Sequence, residues 1–181
     1  MTQRLYYDDV YIKDFTARVV SCVESGGSYE VVLDRTAFFP EGGGQPADNG
    51  FIGGAKVFDV HEKGGEVVHC CSEKCPVGAE LECKIDYERR FDHMQQHTGE
   101  HITSGLIKSR FGFVHSVCGF ENVGFHMGES SVTVDFNGVV SPEELRRIER
   151  LANEAIYKKL LSSSWTKAVT SRRYLLMLSH R

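Results

Sequence analysis

The apolar pattern of this chain changes period near Asp86, and that change constrains the fold more than any single motif. Before it, residues 16–34 form two β-branched runs separated by Gly26-Gly27, a hairpin signal. Apolar runs at Gly50–Val60 and Val67–Cys71 flank a turn at Lys63-Gly64-Gly65, and Ala79–Ile85 follows. Short strands joined by Gly-rich turns predict a small β-barrel. From Asp86 the period becomes 3.6, with Phe91, Met94, Thr98, Ile102 and Leu106 on one helical face and Gly112 as the stop. Gly99 and Gly105 each cost about 1 kcal/mol inside that helix, which implies close approach of another backbone or a ligand. Strand-like runs return at Phe113–Cys118, Val123–His126 and Ser131–Phe136. Ser141-Pro142-Glu143-Glu144 is a capping box opening a second helix, whose apolar face is Leu145, Ile148, Leu151, Ala155, Ile156 and Leu160. The expected class is α+β.

The 181 residues, 41% hydrophobic and 25% charged, suit a globular protein with a real core, and no apolar run approaches a membrane span. The N-terminus lacks an apolar signal region, so the expected address is cytoplasmic. A net charge of −4 gives no global attraction to nucleic acid but leaves room for a local basic face. Six cysteines then read as free thiols. Cys71 and Cys75 have a zinc-compatible spacing beside His69 and Cys70, yet they form no paired knuckles, and packing is the preferred reading for them and for Cys83. Beyond Glu154 acids stop and Lys and Arg accumulate, so residues 161–181 are expected to be a basic tail.

Two passages carry chemistry. The first is His93-Met-Gln-Gln-His97-Thr-Gly-Glu100-His101, in which histidine recurs at intervals of four on one helical face. Two imidazoles one turn apart can close on a single Zn²⁺ at about 2.0–2.1 Å per bond, whereas three spread over two turns cannot. A solvated histidine stripe competes with this reading on spacing alone. The second passage is Asp34-Arg-Thr36-Ala-Phe-Phe-Pro-Glu-Gly42-Gly43-Gly44-Gln45-Pro-Ala-Asp48. Consecutive glycines let backbone N–H groups approach a ligand, and Phe38, Phe39, Pro40 and Gln45-Pro46 stiffen the two ends.

With both passages and Val123-Gly-Phe-His126-Met-Gly128, the chain resembles the AlaX family, freestanding relatives of the editing domain of alanyl-tRNA synthetase. The resemblance covers roughly residues 1–160 and points to the medium-sized, serine-selective kind. It implies a β-barrel domain with the Gly-rich loop at 1–86 and, at 87–160, a two-layer α/β editing domain of the threonyl/alanyl-tRNA synthetase type. It also implies zinc-assisted hydrolysis of serine, or glycine, wrongly esterified to the acceptor end of tRNA(Ala). By position, His97 and His101 are the implied zinc ligands. Thr36, Gln45 and the glycines Gly42, Gly43 and Gly44 lie on the substrate side, and Glu100 and His126 are catalytic candidates. A threonine hydroxyl can recognise a serine hydroxyl by a hydrogen bond that alanine cannot return. His126 is about as readily a core histidine, and Glu100 a solvent-facing helical acid.

The family's second ligand segment, CxxxH, has no match after His101. His115, Cys118, His126 and His180 remain as substitutes without its spacing, so the reading expects an incomplete editing domain, a truncated or frameshifted end and impaired metal binding. Two other functions compete. His97-Thr-Gly-Glu100-His101 also fits the H-x-x-E-H pattern of inverzincin peptidases, with Glu100 as base. A non-catalytic module that keeps tRNA or protein recognition is the other.

Overall fold

The computed structural model describes residues 1–111, 122–128, 131–136 and 138–157. Ten strands and two α-helices occur among them. They are β1 (Gln3–Arg4), β2 (Asp14–Ser25), β3 (Ser28–Leu33), β4 (Arg35–Thr36), β5 (Gly50–Ile52), β6 (Ala55–Lys63), β7 (Glu66–Cys71), β8 (Glu80–Ile85), α1 (Tyr87–Phe111), β9 (Asn122–Met127), β10 (Val132–Phe136) and α2 (Pro142–Tyr157). A 3₁₀ turn at Leu5–Tyr7 follows β1. The class is α+β, with mostly antiparallel pairing. The chain divides into two compact units, Met1–Arg90 and Phe91–Arg181.

In the first unit the antiparallel strand order β2-β3-β7-β6-β5-β8 closes on itself, because β8 pairs back onto β2. Two-residue glycine turns join the hairpins: Gly26 and Gly27 have φ of 58° and 84°, and Gly64 and Gly65 of 61° and 85°. Positive φ at both central residues is what a type I′ hairpin turn requires. The run Gly50–Val60 is two strands, since Gly53 at φ 57° turns the chain between β5 and β6. Alternation sends Val19, Val31, Leu33, Val57, Val67 and Ile85 inward, each at most 2% exposed. Cys71, Cys75 and Cys83 join that core as small apolar groups, and burial pushes the Cys83 thiol up to about 12.

A buried ion pair ties the loop after β4 to the start of α1. Arg90 sends Nη2 to Asp48 Oδ2 at 2.6 Å with both side chains buried. It also donates to the carbonyls of Ala37 at 2.7 Å and Val10 at 3.2 Å. Asp48 Oδ2 accepts the Phe39 amide at 2.7 Å, so one acid fixes both ends of the glycine-bearing loop. Arg89 donates to the Ala47 carbonyl beside it.

In the second unit, β9 and β10 pair antiparallel with His126 opposite Thr133. The buried stripe of α1 differs from the expected one. Met94 and Thr98 are buried, but further along Thr103 and Ile107 are the inward residues, while Ile102 and Leu106 are half-buried. Threonine is tolerated inside the helix because Thr98 and Thr103 return their hydroxyls to the carbonyls of Met94 and Gly99, at 2.8 and 2.9 Å. Gly105 is exposed, and among the described residues nothing would come within 4 Å of a Cβ there. Ser141 caps α2, its Oγ accepting the Glu144 amide at 3.3 Å. On α2, Ile148 and Ala152 are buried and Leu151 is 41% exposed, which moves the expected face by one residue. The expected strand Phe113–Cys118, the stop at Gly112, Leu160 and the basic tail 161–181 lie outside the described residues. No helix among the described residues is long and apolar enough to cross a membrane.

Candidate functional site

The four-residue spacing of α1 brings His97 and His101 together. Their Nε2 atoms are 2.9 Å apart and the rings stack with centroids 4.7 Å apart at 27°. Burial, then the neighbouring His101, lowers the His97 pKa below its ordinary value and favours the neutral form that binds metal. Glu100 lies between them in sequence but is 8% exposed. Its Oε2 is 3.4 Å from His101 Nδ1, and its Oε1 accepts the Ser104 hydroxyl at 2.5 Å. A carboxylate on Nδ1 favours the tautomer whose Nε2 lone pair is free for a cation. Glu100 thus faces inward, not toward solvent. Donor atoms of His97, Glu100 and His101 lie within 4.8 Å of one another, a group that could hold a metal ion. His93, the third member of the repeat, is buried and outside that group.

Phe125 of β9 reaches this pair, its ring centroid 5.6 Å from that of His97. His126 is the next residue on the strand and is exposed, as alternation requires once Phe125 faces α1. The neighbour of His126 therefore makes the contact with the histidine pair. Its exposure also removes the core-histidine reading. His115, Cys118 and His180 lie outside the described residues.

The glycine loop is a tight turn. Gly43 and Gly44 have φ of 58° and 83°, and Gly42 and Gln45 exchange both backbone hydrogen bonds, at 3.0 and 3.1 Å. Those two N–H groups are used inside the turn, unlike the open ligand cradle that consecutive glycines suggest. Gly43 and Gly44 are needed for backbone conformation. Gln45 is buried at the end of the turn, and Gly42, Gly43 and Gly44 are exposed.

Thr36 is completely buried, and a residue that sequence reasoning passed over explains its state. The His69 ring, also completely buried, places Nδ1 3.0 Å from the Val31 carbonyl and Nε2 2.8 Å from Thr36 Oγ1. A carbonyl only accepts, so Nδ1 carries the proton. Burial lowers the His69 pKa to about 4, so Nε2 is a lone pair and takes the threonine proton. Thr36 Oγ1 in turn accepts the Phe38 amide at 3.1 Å. One lone pair of the hydroxyl remains, so toward any further group Thr36 is an acceptor. The signal was present in the sequence: His69 sits between Val67 and Cys71 on the inward register of β7.

The family model described as tRNA synthetases class II (A) matches residues 2–89. The chain is 37% identical over 161 residues to the alanyl-tRNA editing protein Aarsd1 of Danio rerio, covering 82% of this chain and 37% of that protein. It is 34% identical over 167 residues to the alanyl-tRNA editing protein AlaX-L of Pyrococcus horikoshii, covering 88% of this chain and 40% of the relative. It is 40% identical over 164 residues to an alanine–tRNA ligase of Pyrobaculum neutrophilum, covering 88% of this chain and 18% of the ligase. The chain belongs to the alanyl-tRNA editing family. It spans two fifths or less of the length of these three relatives.

Proposed function

We propose that the chain is an editing hydrolase that removes serine wrongly esterified to tRNA(Ala), with His97 and His101 as protein ligands of a zinc ion. The observation that carries the reading is the convergence of the two Nε2 atoms, 2.9 Å apart, on the helix of a chain whose relatives are alanyl-tRNA editing proteins. The donor set fits: two imidazoles, the first favoured in its neutral form and the second backed by an acid, suit zinc. When bound, zinc with an open position lowers the pKa of a water molecule or polarises an ester carbonyl. The protein's own residues supply the rest. Glu100 lies beside Nδ1 of His101, and Phe125 packs against the His97 ring. Residues 1–86 are then the barrel domain of the family, and the editing domain follows from residue 87.

By the family resemblance, Thr36, Gln45 and the turn at Gly42, Gly43 and Gly44 would be the residues that contact the substrate. The Thr36 hydroxyl donates to His69, so it would meet the substrate as an acceptor. Serine can donate a hydroxyl proton to it, and alanine and glycine cannot, which is a chemical basis for preferring the seryl ester. The peptidase reading needs Glu100 as a general base acting on water. Its burial and its engagement with Ser104 and His101 argue against that role.

The test is hydrolysis of tRNA(Ala) charged with radiolabelled serine, glycine or alanine, with an unstructured peptide as a fourth substrate. Release of serine in preference to alanine, with the peptide intact, is expected. Equal release of serine and alanine, or zinc-dependent peptide cleavage lost in Glu100→Gln, would contradict the proposal.

A further inference from the structure

Cys70 stands apart from the other cysteines of the first unit. Cys71, Cys75 and Cys83 are buried in the core and the half-buried Cys22 packs against it, whereas Cys70, also half-buried, alternates to the outer face of β7. Strand register decides its neighbours. Asp59 of β6 is its Cα partner, and His61, two residues on, pairs with Val68. Cross-strand partners have Cβ atoms about 4.5–5.5 Å apart, and residues at i and i+2 share a face, so the three side chains converge. His61 Nδ1 is 2.9 Å from Asp59 Oδ2, and the two side chains are 29% and 38% exposed. Donor atoms of Asp59, His61 and Cys70 all lie within 4.8 Å of one another.

We propose that Asp59, His61 and Cys70 form a second metal-binding site, on the outer face of the closed strand ring, for a borderline divalent cation such as Zn²⁺. Zinc bonds of about 2.0–2.3 Å set neighbouring tetrahedral ligands roughly 3.3–3.8 Å apart, so closure of the site needs only small side-chain rotations. One thiolate, one imidazole and one carboxylate select zinc over magnesium or calcium, which prefer all-oxygen shells. Thiolate and carboxylate together neutralise a divalent ion. On binding, Cys70 releases its thiol proton to solvent and His61 carries its ring proton on the nitrogen away from the metal. Glu30 of β3 is the partner of Cys70 on its other side, but Lys63 holds its carboxylate at 2.9 Å. The fourth position is therefore left to water or an exogenous ligand. All the groups concerned lie on paired strands of the first unit, whereas His97 and His101 belong to the second.

The experiment is titration of the full chain with Co²⁺, read by the thiolate-to-cobalt charge-transfer band. The band is expected in the unmodified chain and in the His97→Ala/His101→Ala double variant. It should vanish in Cys70→Ser and need at least about tenfold more Co²⁺ in His61→Ala. No thiolate band, or a full band in Cys70→Ser, would overturn the proposal. A second measurement avoids substitution: Zn²⁺ should slow alkylation of Cys70 by iodoacetamide at least about tenfold, read on the Cys70 peptide by mass spectrometry. Alkylation of that peptide at the same rate with and without Zn²⁺ would overturn it. Neither readout uses tRNA, so the outcome is separate from that of the editing proposal.

Discussion

Arg90 Nη2 lies 2.6 Å from Asp48 Oδ2, with the two side chains 3% and 1% exposed, 42 residues apart in the chain. The pair holds the loop between β4 and β5 because Asp48 also takes the Phe39 amide. Removal of the cation leaves a buried carboxylate without its counter-charge, the costly half of a buried pair. Arg90→Met should lower unfolding stability by about 3–5 kcal/mol, measured by urea denaturation. Asp48→Asn added to that variant should recover part of the loss. A drop below about 1 kcal/mol for Arg90→Met would show that the loop does not depend on the pair.

His69 gives the fold a pH dependence with a definite sign. Its ordinary value is 6.5, and burial holds it at about 4 in the folded protein. Between these values the unfolded chain binds a proton that the folded chain does not. Its contribution is therefore fully present above pH 6.5 and is lost as pH falls through about 4. The full effect is on the order of 3 kcal/mol. His69→Gln should be less stable at neutral pH, with the gap to the unmodified protein narrowing toward pH 4.5. A gap independent of pH would mean that His69 is not the titrating group.

Gly50 is required for space. A Cβ there would lie 2.1 Å from the Lys84 carbonyl oxygen and 2.9 Å from Phe38 Cε1, where β5 meets β8. The nearer atom is backbone and cannot rotate away. Gly50→Ala should cost about 1–3 kcal/mol or more of stability by thermal unfolding.

Gly105 predicts the opposite. Its position in α1 is exposed, and among the described residues nothing stands within 4 Å of the added carbon. Gly105→Ala should raise stability by about 0.5–1 kcal/mol through helix propensity. A loss of stability would place a partner against that face.

Much of the secondary structure could be read from residue pattern, because local chemistry decides it. Gly26-Gly27 and Gly64-Gly65 demand positive φ, and the Ser141 cap needs only the next turn of chain. Long-range relations were harder. Nothing near Arg90 announces Asp48, since the pair forms only when the loop returns to the start of α1. The one-residue shift of the buried stripe along α1 and the exposure of Leu151 on α2 depend on what each helix packs against. His69 was masked by the cysteines beside it, although its inward register was available. Cys70 took the opposite register, and only the pairing of β6 with β7 brings it to Asp59 and His61. For the candidate site, spacing brings His97 to His101, while the inward turn of Glu100 depends on the packing around α1.

The account stands most directly on the dependence of ester hydrolysis on the His97 and His101 pair. The measurement is the single-turnover rate on seryl-tRNA(Ala) for the zinc-supplemented chain and its His97→Ala variant, with bound zinc determined on the same samples. Loss of the zinc that His97 and His101 hold, with a fall in rate of about 100-fold or more, is the predicted result. Hydrolysis at the unmodified rate in His97→Ala would contradict the account.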